Sequence, residues 1–442
     1  MHQMSTTGAC FKSGGLPSGT SNGWSGWRLA LLLMLLAAIA APVRAFSTKE
    51  MVIGVATSLT TLEGKESLMA AQLAVEELNR SGKVRLNGKQ IRLKIETIDL
   101  ESSNPQVKVE DSLMRLETFL SAHAVKAVVV GPFRSELLLP AMDAIARRRI
   151  PMIGTIAMTP AMESKVMKDR AYRYLFRTGL DTRYLADTLI ESMRFLNRRF
   201  GFRRVYLMIQ DVAWARSTAS LMIKLYFERA GWKILGIRHY PYQTTDFSDG
   251  LEEATRNGAQ VILPIFDTPY SGQLAMQWKS RQTPGLLCGF ISPMSGPGAW
   301  TRYHGQIEGA LNMIFELGNI PSRSFLPAAD FYQAFKTRYG QEVEAGHGPA
   351  PAYEAVYLLA QAIHESGSLD ADRLVTALER SNRMGAMGRL QFNRGHQVIF
   401  GTNPQETAVA CLIQWNHAGK RVIVYPPSLA EGQVVLPPPR HH

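Results

Sequence analysis

Cysteine is scarce in this chain: three in 442 residues, of which only Cys288 and Cys411 lie beyond the N-terminal apolar run. A small secreted fold stapled by several disulfides is thereby excluded. Both sit in apolar, strand-like runs, where two separate buried thiols are the plainer reading. Only one long apolar stretch occurs, Leu29–Ala41, which has the length of an export-signal core and falls short of a bilayer span. No cysteine follows it closely, which argues against a lipid anchor. Catalytic signatures are also missing. There is no Gly-rich phosphate loop ending in Gly-Lys-Ser/Thr, no G-x-S-x-G elbow, no H-E-x-x-H and no C-x-x-C. The ten histidines are scattered, and His364-Glu365 has no second His one turn later. The sequence therefore points to no catalytic residue, no metal site and no cofactor, and the chain reads as something other than an enzyme.

Acids are outnumbered, 37 against 49 Lys and Arg, for a formal charge of +12. Small residues at Ala41-Pro42-Val43-Arg44-Ala45 place signal cleavage after Ala45. That removes Lys12, Arg28 and Arg44 with no acid and leaves +9. The alternative is an uncleaved anchor. Basic clusters stand at Arg147–Arg149 and at Arg198, Arg199, Arg203 and Arg204. Nucleic acid is the usual partner of such patches, but export argues against it. They read as solvated helix ends, with docking to an acidic surface as the lesser reading.

What is present is an alternation of strands and helices. Met51–Ala56 is a short buried-strand run, Thr57–Thr61 a hydroxylated loop, and Leu68, Ala71, Val75 and Leu78 recur at helical spacing. Ile91–Asp99, Val125–Val130 and Ile150–Ile153 follow as strands, with helices at Val107–Leu120 and Ser135–Arg148. After Tyr172–Gly179 the pattern restarts. Helices are expected at Thr182–Phe200, Trp214–Ala230, Phe247–Asn257 and Tyr270–Arg281, alternating with strands at Val205–Gln210, Trp232–Tyr240, Gln260–Phe266 and Leu286–Ile291. Such βαβ repetition predicts parallel sheets covered on both faces. Gly309–Leu317 reads as a strand, followed by helices Pro327–Tyr339, Pro351–Ser366 and Asp370–Ser381. Gly388–Phe392, Thr407–Trp415 and Arg421–Tyr425 read as a small antiparallel addition, and 426–442 as an irregular tail.

The opening resembles type I periplasmic solute-binding proteins of the branched-chain amino-acid and amide class. The pieces that carry the likeness are Ser58-Leu59-Thr60, Gly64 and Ala74-Val75-Glu76-Glu77-Leu78-Asn79, and it extends with interruptions from about Met51 to Pro426. The resemblance implies an α/β fold of two doubly wound lobes joined by a three-crossing hinge. Crossings are implied near Gly179–Asp181, Glu308–Gly309 and Ala386–Gly388. The corresponding division is a signal at 1–45, one lobe at 46–181 and 309–386, and a second at 182–308 and 387–425. It also implies capture of a small polar ligand (amino acid, amide or urea-like compound) between the lobes of a periplasmic monomer, for delivery to an inner-membrane ABC permease. A sensor of the same fold and a binder of small organic acids stand as alternatives.

Candidate ligand contacts follow from strand ends. Phe133-Arg134-Ser135 ends the third strand. Ser135 is the expected N-cap of the next helix, and the family places a ligand-carboxylate contact there. Arg134 could serve a second carboxylate. Ile156-Ala157-Met158-Thr159 stands where the family carries a turn gripping the amino-acid head group, with Met158 in place of the usual hydroxyl residue. Thr155 or Thr159 could supply that hydroxyl instead. Trp214 resembles an aromatic that covers the ligand. Ile291 occupies the approximate place of the family's amine-binding Glu, leaving Asp267 or Glu63 to meet an ammonium group.

Overall fold

The computed structural model describes residues 15–16, 49–104 and 106–437. The apolar run Leu29–Ala41 and the cleavage position after Ala45 lie outside them. Among the described residues no helix is long and apolar enough to cross a membrane. All that follows concerns the compact unit Thr48–His442.

Two sheets organise this unit. The first contains β1 (Glu50–Thr57), β2 (Arg92–Asp99), β3 (Val125–Val130), β4 (Met152–Gly154) and β5 (Leu175–Arg177), in the order β2-β1-β3-β4-β5. Every pairing in it is parallel. The second contains β6 (Arg204–Gln210), β7 (Lys233–Tyr240), β8 (Val261–Phe266), β9 (Leu286–Ile291), β10 (Leu311–Ile314), β11 (Cys411–Trp415) and β12 (Arg421–Tyr425), ordered β12-β11-β10-β9-β8-β6-β7. It is parallel from β7 to β10 and antiparallel from β10 to β12. Strands buried on both faces read as continuous apolar runs: every residue of VILPIF in β8 and LLCGFI in β9 is buried.

Helices cover the sheets where the sequence has apolar faces. The helix Leu62–Ser81 buries Ala70, Ala71, Ala74 and Leu78 and packs along the helix Pro349–Ser366. Thr61 caps it, accepting from the Gly64 N–H at 3.1 Å, and Gly82 ends it in a left-handed conformation at φ 62°. Gly64 has a separate reason to lack a side chain: a Cβ there would lie 2.0 Å from the Ser58 carbonyl oxygen. The basic clusters fall partly in last helical turns, Arg147 and Arg148 in Ser135–Arg148 and Arg198 and Arg199 in Thr182–Phe200. A cation there meets the negative end of the helix dipole. Cys288 and Cys411 are free, buried thiols.

Three expectations need correction. The strand expected to open the return to the first lobe, and hence the implied crossing at Glu308–Gly309, is displaced. Residues Leu311–Ile314 pair with β9 and β11 inside the second sheet, because this apolar strand completes a row of already buried neighbours. The stretch assigned from 387 onward to the second lobe begins on the other side. Arg177 of β5 bridges to Gln397, and Phe176 stacks on His396 at 4.1 Å and meets Phe392 at 5.0 Å. Only from Cys411 does the chain join the second sheet. The tail from 426, expected to be irregular, carries neither strand nor helix as far as it is described, to 437. Third, Ser135 is not the N-cap of its helix. Arg134 occupies that position with extended backbone and no side-chain cap bond, and Ser135 is the first helical residue.

Candidate functional site

A cavity of about 540 Å³ lies where the carboxyl ends of the two sheets face each other, the place where open α/β sheets bind ligands. Of the ten residues singled out from the sequence, Glu63, Phe133, Arg134, Ser135 and Ile156 line it, as do Met158, Thr159, Trp214 and Asp267. Ala157 does not line it: the residue is 5% exposed, and its carbonyl accepts from Arg177 Nη1 at 3.2 Å.

On the first-sheet side, β3 ends at Val130 and Gly131, both at positive φ (74° and 70°). For a β-branched residue this is an uncommon backbone state, and it turns the chain so that Phe133–Ser135 comes onto the cavity. The first turn of the helix Ser135–Arg148 leaves its leading N–H groups without intrahelical acceptors. Together with the helix dipole, that end suits an anion. Beside it Arg134 donates from Nη2 to the Ser103 carbonyl at 2.9 Å, and its Nε is buried with no partner among the described residues.

The turn after β4 is held from behind. Arg177 is 1% exposed, and its five N–H donors all find acceptors. Nη1 reaches the carbonyls of Ala157 and Thr159 at 3.2 and 2.8 Å. Nη2 reaches Glu163 and Asp181 at 3.3 and 3.4 Å, and Nε donates to Gln397. The Met158 carbonyl accepts from the Thr182 N–H at 3.1 Å. Thr159 Oγ1 accepts from the Ala161 N–H at 3.2 Å, so that hydroxyl is engaged locally. Thr155 Oγ1 is buried without a partner among the described residues and does not line the cavity. Met158 forms apolar wall.

The second-sheet side is built from side chains. Asp267, after β8, accepts from Gln210 Nε2 at 2.6 Å and from Trp214 Nε1 at 3.0 Å. Gln210 Oε1 in turn accepts from the Asp267 and Thr268 N–H groups at 2.8 and 2.9 Å. Trp214 is thus a cavity wall anchored to Asp267 rather than plain core. Its ring meets Phe290 edge-on at 6.1 Å, and Phe290 packs on Phe315 at 4.1 Å. Ile291 is buried, bonded through its N–H to Asn312, and does not line the cavity. The next residue, Ser292, instead donates across the cleft to Glu63 Oε1 at 2.7 Å.

Burial pushes the Glu63 carboxyl above its ordinary value, the Ser292 bond opposes this, Asp267 adds to it and His347 counters it. Burial likewise raises Asp267, against the Gln210 bond, the Arg134 charge and the Trp214 bond.

Sequence reasoning missed His347, Phe290, Phe315 and Thr182, which also line the cavity. His347 sits in Gly346-His347-Gly348 just before the helix Pro349–Ser366; no strand precedes it directly, so no strand-end rule could select it. Among the described residues no group of three or more His, Cys, Asp or Glu could hold a metal ion. The arrangement can enclose and orient a small polar molecule.

Comparisons with known proteins agree with this geometry. Residues 51–419 match the family model described as periplasmic binding protein. A Leu/Ile/Val-binding protein homolog 8 from Brucella abortus (strain 2308) is 23% identical over 386 residues, covering 84% of this chain and 88% of that one. The crystal structure of a putative branched-chain amino acid ABC transporter from Silicibacter pomeroyi superposes with a TM-score of 0.75 at 15% identity, over 88% of this chain and 100% of the other. A solute-binding protein from R. palustris in complex with benzoate gives 0.66 at 13% identity, over 87% and 98%. These structural likenesses establish the type I fold, and the model match over most of the chain establishes that it belongs to the periplasmic binding protein family.

Proposed function

We propose that the protein is the periplasmic solute-binding component of an ABC importer. It captures one small polar ligand (an amino acid, amide or urea-like compound, or alternatively a small organic acid) between its two lobes and presents the closed form to an inner-membrane permease. The observation that carries this reading is the cavity of about 540 Å³ whose walls come from the carboxyl ends of two separate sheets. Enclosure of this kind binds by shifting the population from open to closed, so affinity includes the cost of leaving the open state. Relatives named for leucine, isoleucine and valine support an amino acid as ligand, as do the two acids Glu63 and Asp267 on the cavity wall. A neighbour holding benzoate, and Ile291 at the place of the family's amine-binding Glu, support a simple organic acid.

A ligand that binds only the native state must raise its melting temperature. A thermal-shift screen over aliphatic and aromatic amino acids, amides, urea and small carboxylates is expected to give at least one stabilising compound with one-to-one stoichiometry. No shift with any of them would remove the assigned ligand class.

A further inference from the structure

His347 closes the cavity floor between the two walls. Its Nε2 lies 2.8 Å from the Ile156 carbonyl oxygen and its Nδ1 lies 2.7 Å from Glu316 Oε1. A carbonyl oxygen only accepts, so Nε2 carries a hydrogen. Glu316 is fully buried and accepts three further bonds, from the Leu180 N–H at 3.1 Å, the Gly348 N–H at 3.2 Å and Asn319 Nδ2 at 3.0 Å. The Asn319 orientation is settled by its Oδ1, which accepts from the Ala350 N–H at 2.8 Å. Both Glu316 oxygens already accept from these N–H donors, so toward His347 the carboxylate acts as an acceptor and Nδ1 carries a hydrogen as well. His347 is therefore an imidazolium. Burial alone would push it toward neutrality, but the Glu316 charge and hydrogen bond outweigh burial, and Ile156 and Glu63 add to them.

The consequence concerns the turn after β4. The Ile156 carbonyl is taken by His347, those of Ala157 and Thr159 by Arg177, and that of Met158 by Thr182. The N–H groups of residues 156 to 159 make no hydrogen bond among the described residues. In a peptide unit the N–H points opposite to the carbonyl. With the Ala157 carbonyl drawn back to Arg177, the Met158 N–H faces away from that buried guanidinium. The turn thus offers donors and no acceptor.

Both acids on the cavity wall are matched internally: Asp267 by Gln210, Trp214 and the Arg134 charge, and Glu63 by Ser292 and the His347 charge. We infer that His347 is a resident cation that fills the electrostatic place of a ligand ammonium, and that it sets the ligand class as small carboxylates without an amine. This deepens the importer reading above and rests on it.

The test is calorimetric titration with three matched pairs: leucine and 4-methylpentanoate, phenylalanine and 3-phenylpropanoate, alanine and propanoate. In the unaltered protein, the carboxylate of at least one pair should bind as tightly as its amino acid or more tightly. His347→Asn should move the ratio of the two affinities at least tenfold toward the amino acid, because the Ile156 carbonyl and Glu63 are released to meet an ammonium. If that variant does not fold by circular dichroism, Glu63→Gln takes its place. It should tighten carboxylate binding several-fold, since the His347 charge is no longer shared, and keep the order of preference. Amino acids binding tenfold more tightly than their partners in the unaltered protein would overturn the inference and leave the importer reading standing. So would a ratio unchanged by His347→Asn, or a preference that turns to the amino acid in Glu63→Gln. Failure of all six compounds, with no shift in the wider screen, would overturn both.

Discussion

On one side of the cavity the unsatisfied polar groups are backbone N–H groups, in the turn 156–159 and at the first turn of the helix Ser135–Arg148. On the other the wall is made of side chains: Trp214, Asp267 and Phe290. The two sides are secured differently. The backbone side is held by charges placed deep in the protein, Arg177 with Glu163 and Asp181 and His347 with Glu316. The side-chain side hangs on one neutral amide, Gln210. A peptide group cannot choose a rotamer, so its direction must be imposed from behind, and buried ions with many hydrogen bonds do so rigidly. A side chain can be re-aimed or replaced singly. The first wall should accordingly be costly to disturb and general in what it recognises, the second cheap to disturb and selective.

The sharpest way to break this contrast is Arg177→Met. Two buried acids keep only the half-exposed Arg183 as cation and two carbonyls lose their donor, which should cost about 3–5 kcal/mol of stability in urea unfolding. An effect near zero would mean that the network merely decorates the turn.

The next expected effect concerns Glu66, which anchors the helix Leu62–Ser81 to the segment before His347. It accepts from the Glu344 and Ala345 N–H groups at 3.0 and 2.8 Å. Burial raises its carboxyl from 4.5 to about 7, against those two bonds. Below the lower value the group is protonated folded and unfolded alike. Between the two, only the folded state keeps the proton. Stability should therefore fall as pH rises from 4.5 to about 7, by up to ~3 kcal/mol, and then level off. Urea melts of the unaltered protein and of Glu66→Gln across that range should differ by this slope.

Ser135→Ala sharpens the anion end. It should weaken ligand binding by about 1–2 kcal/mol and leave the melting temperature of the free protein nearly unchanged, because Ser135 makes no cap bond. Wild-type affinity in the variant would remove Ser135 from the site. The smallest effect is expected at Asp267→Asn, which keeps shape and loses charge. Carboxylate binding should change by less than ~1 kcal/mol, since no buried counter-charge on the ligand is lost. A loss of about 2–5 kcal/mol confined to amino acids would instead show that Asp267 reads an ammonium.

Much of the architecture was legible before any coordinates. The helices Ser135–Arg148 and Thr182–Phe200 and the strands Val125–Val130 and Leu286–Ile291 begin and end where periodicity and apolar runs place them. Local pattern suffices there because each element's burial is written in its own residues. Strand ends, read together with the family resemblance, pointed to Ser135, Met158, Trp214 and Asp267, which line the cavity, since in parallel sheets the loops after the strands all gather at one edge.

Pattern was silent where one segment meets another far along the chain. That Leu311–Ile314 extends the second sheet, that Gln397 completes the donors of Arg177, and that His347 and Glu316 meet beneath the cavity depend on how the lobes and the late return pack together. An apolar strand carries no mark of which sheet it will join. A histidine in a glycine-rich loop shows no charge state until its neighbours are known. Element type and the edge that binds are local consequences of side-chain pattern. The sign of the charge on the cavity floor, and the direction in which the turn's peptides point, arise from long-range contacts between buried polar groups.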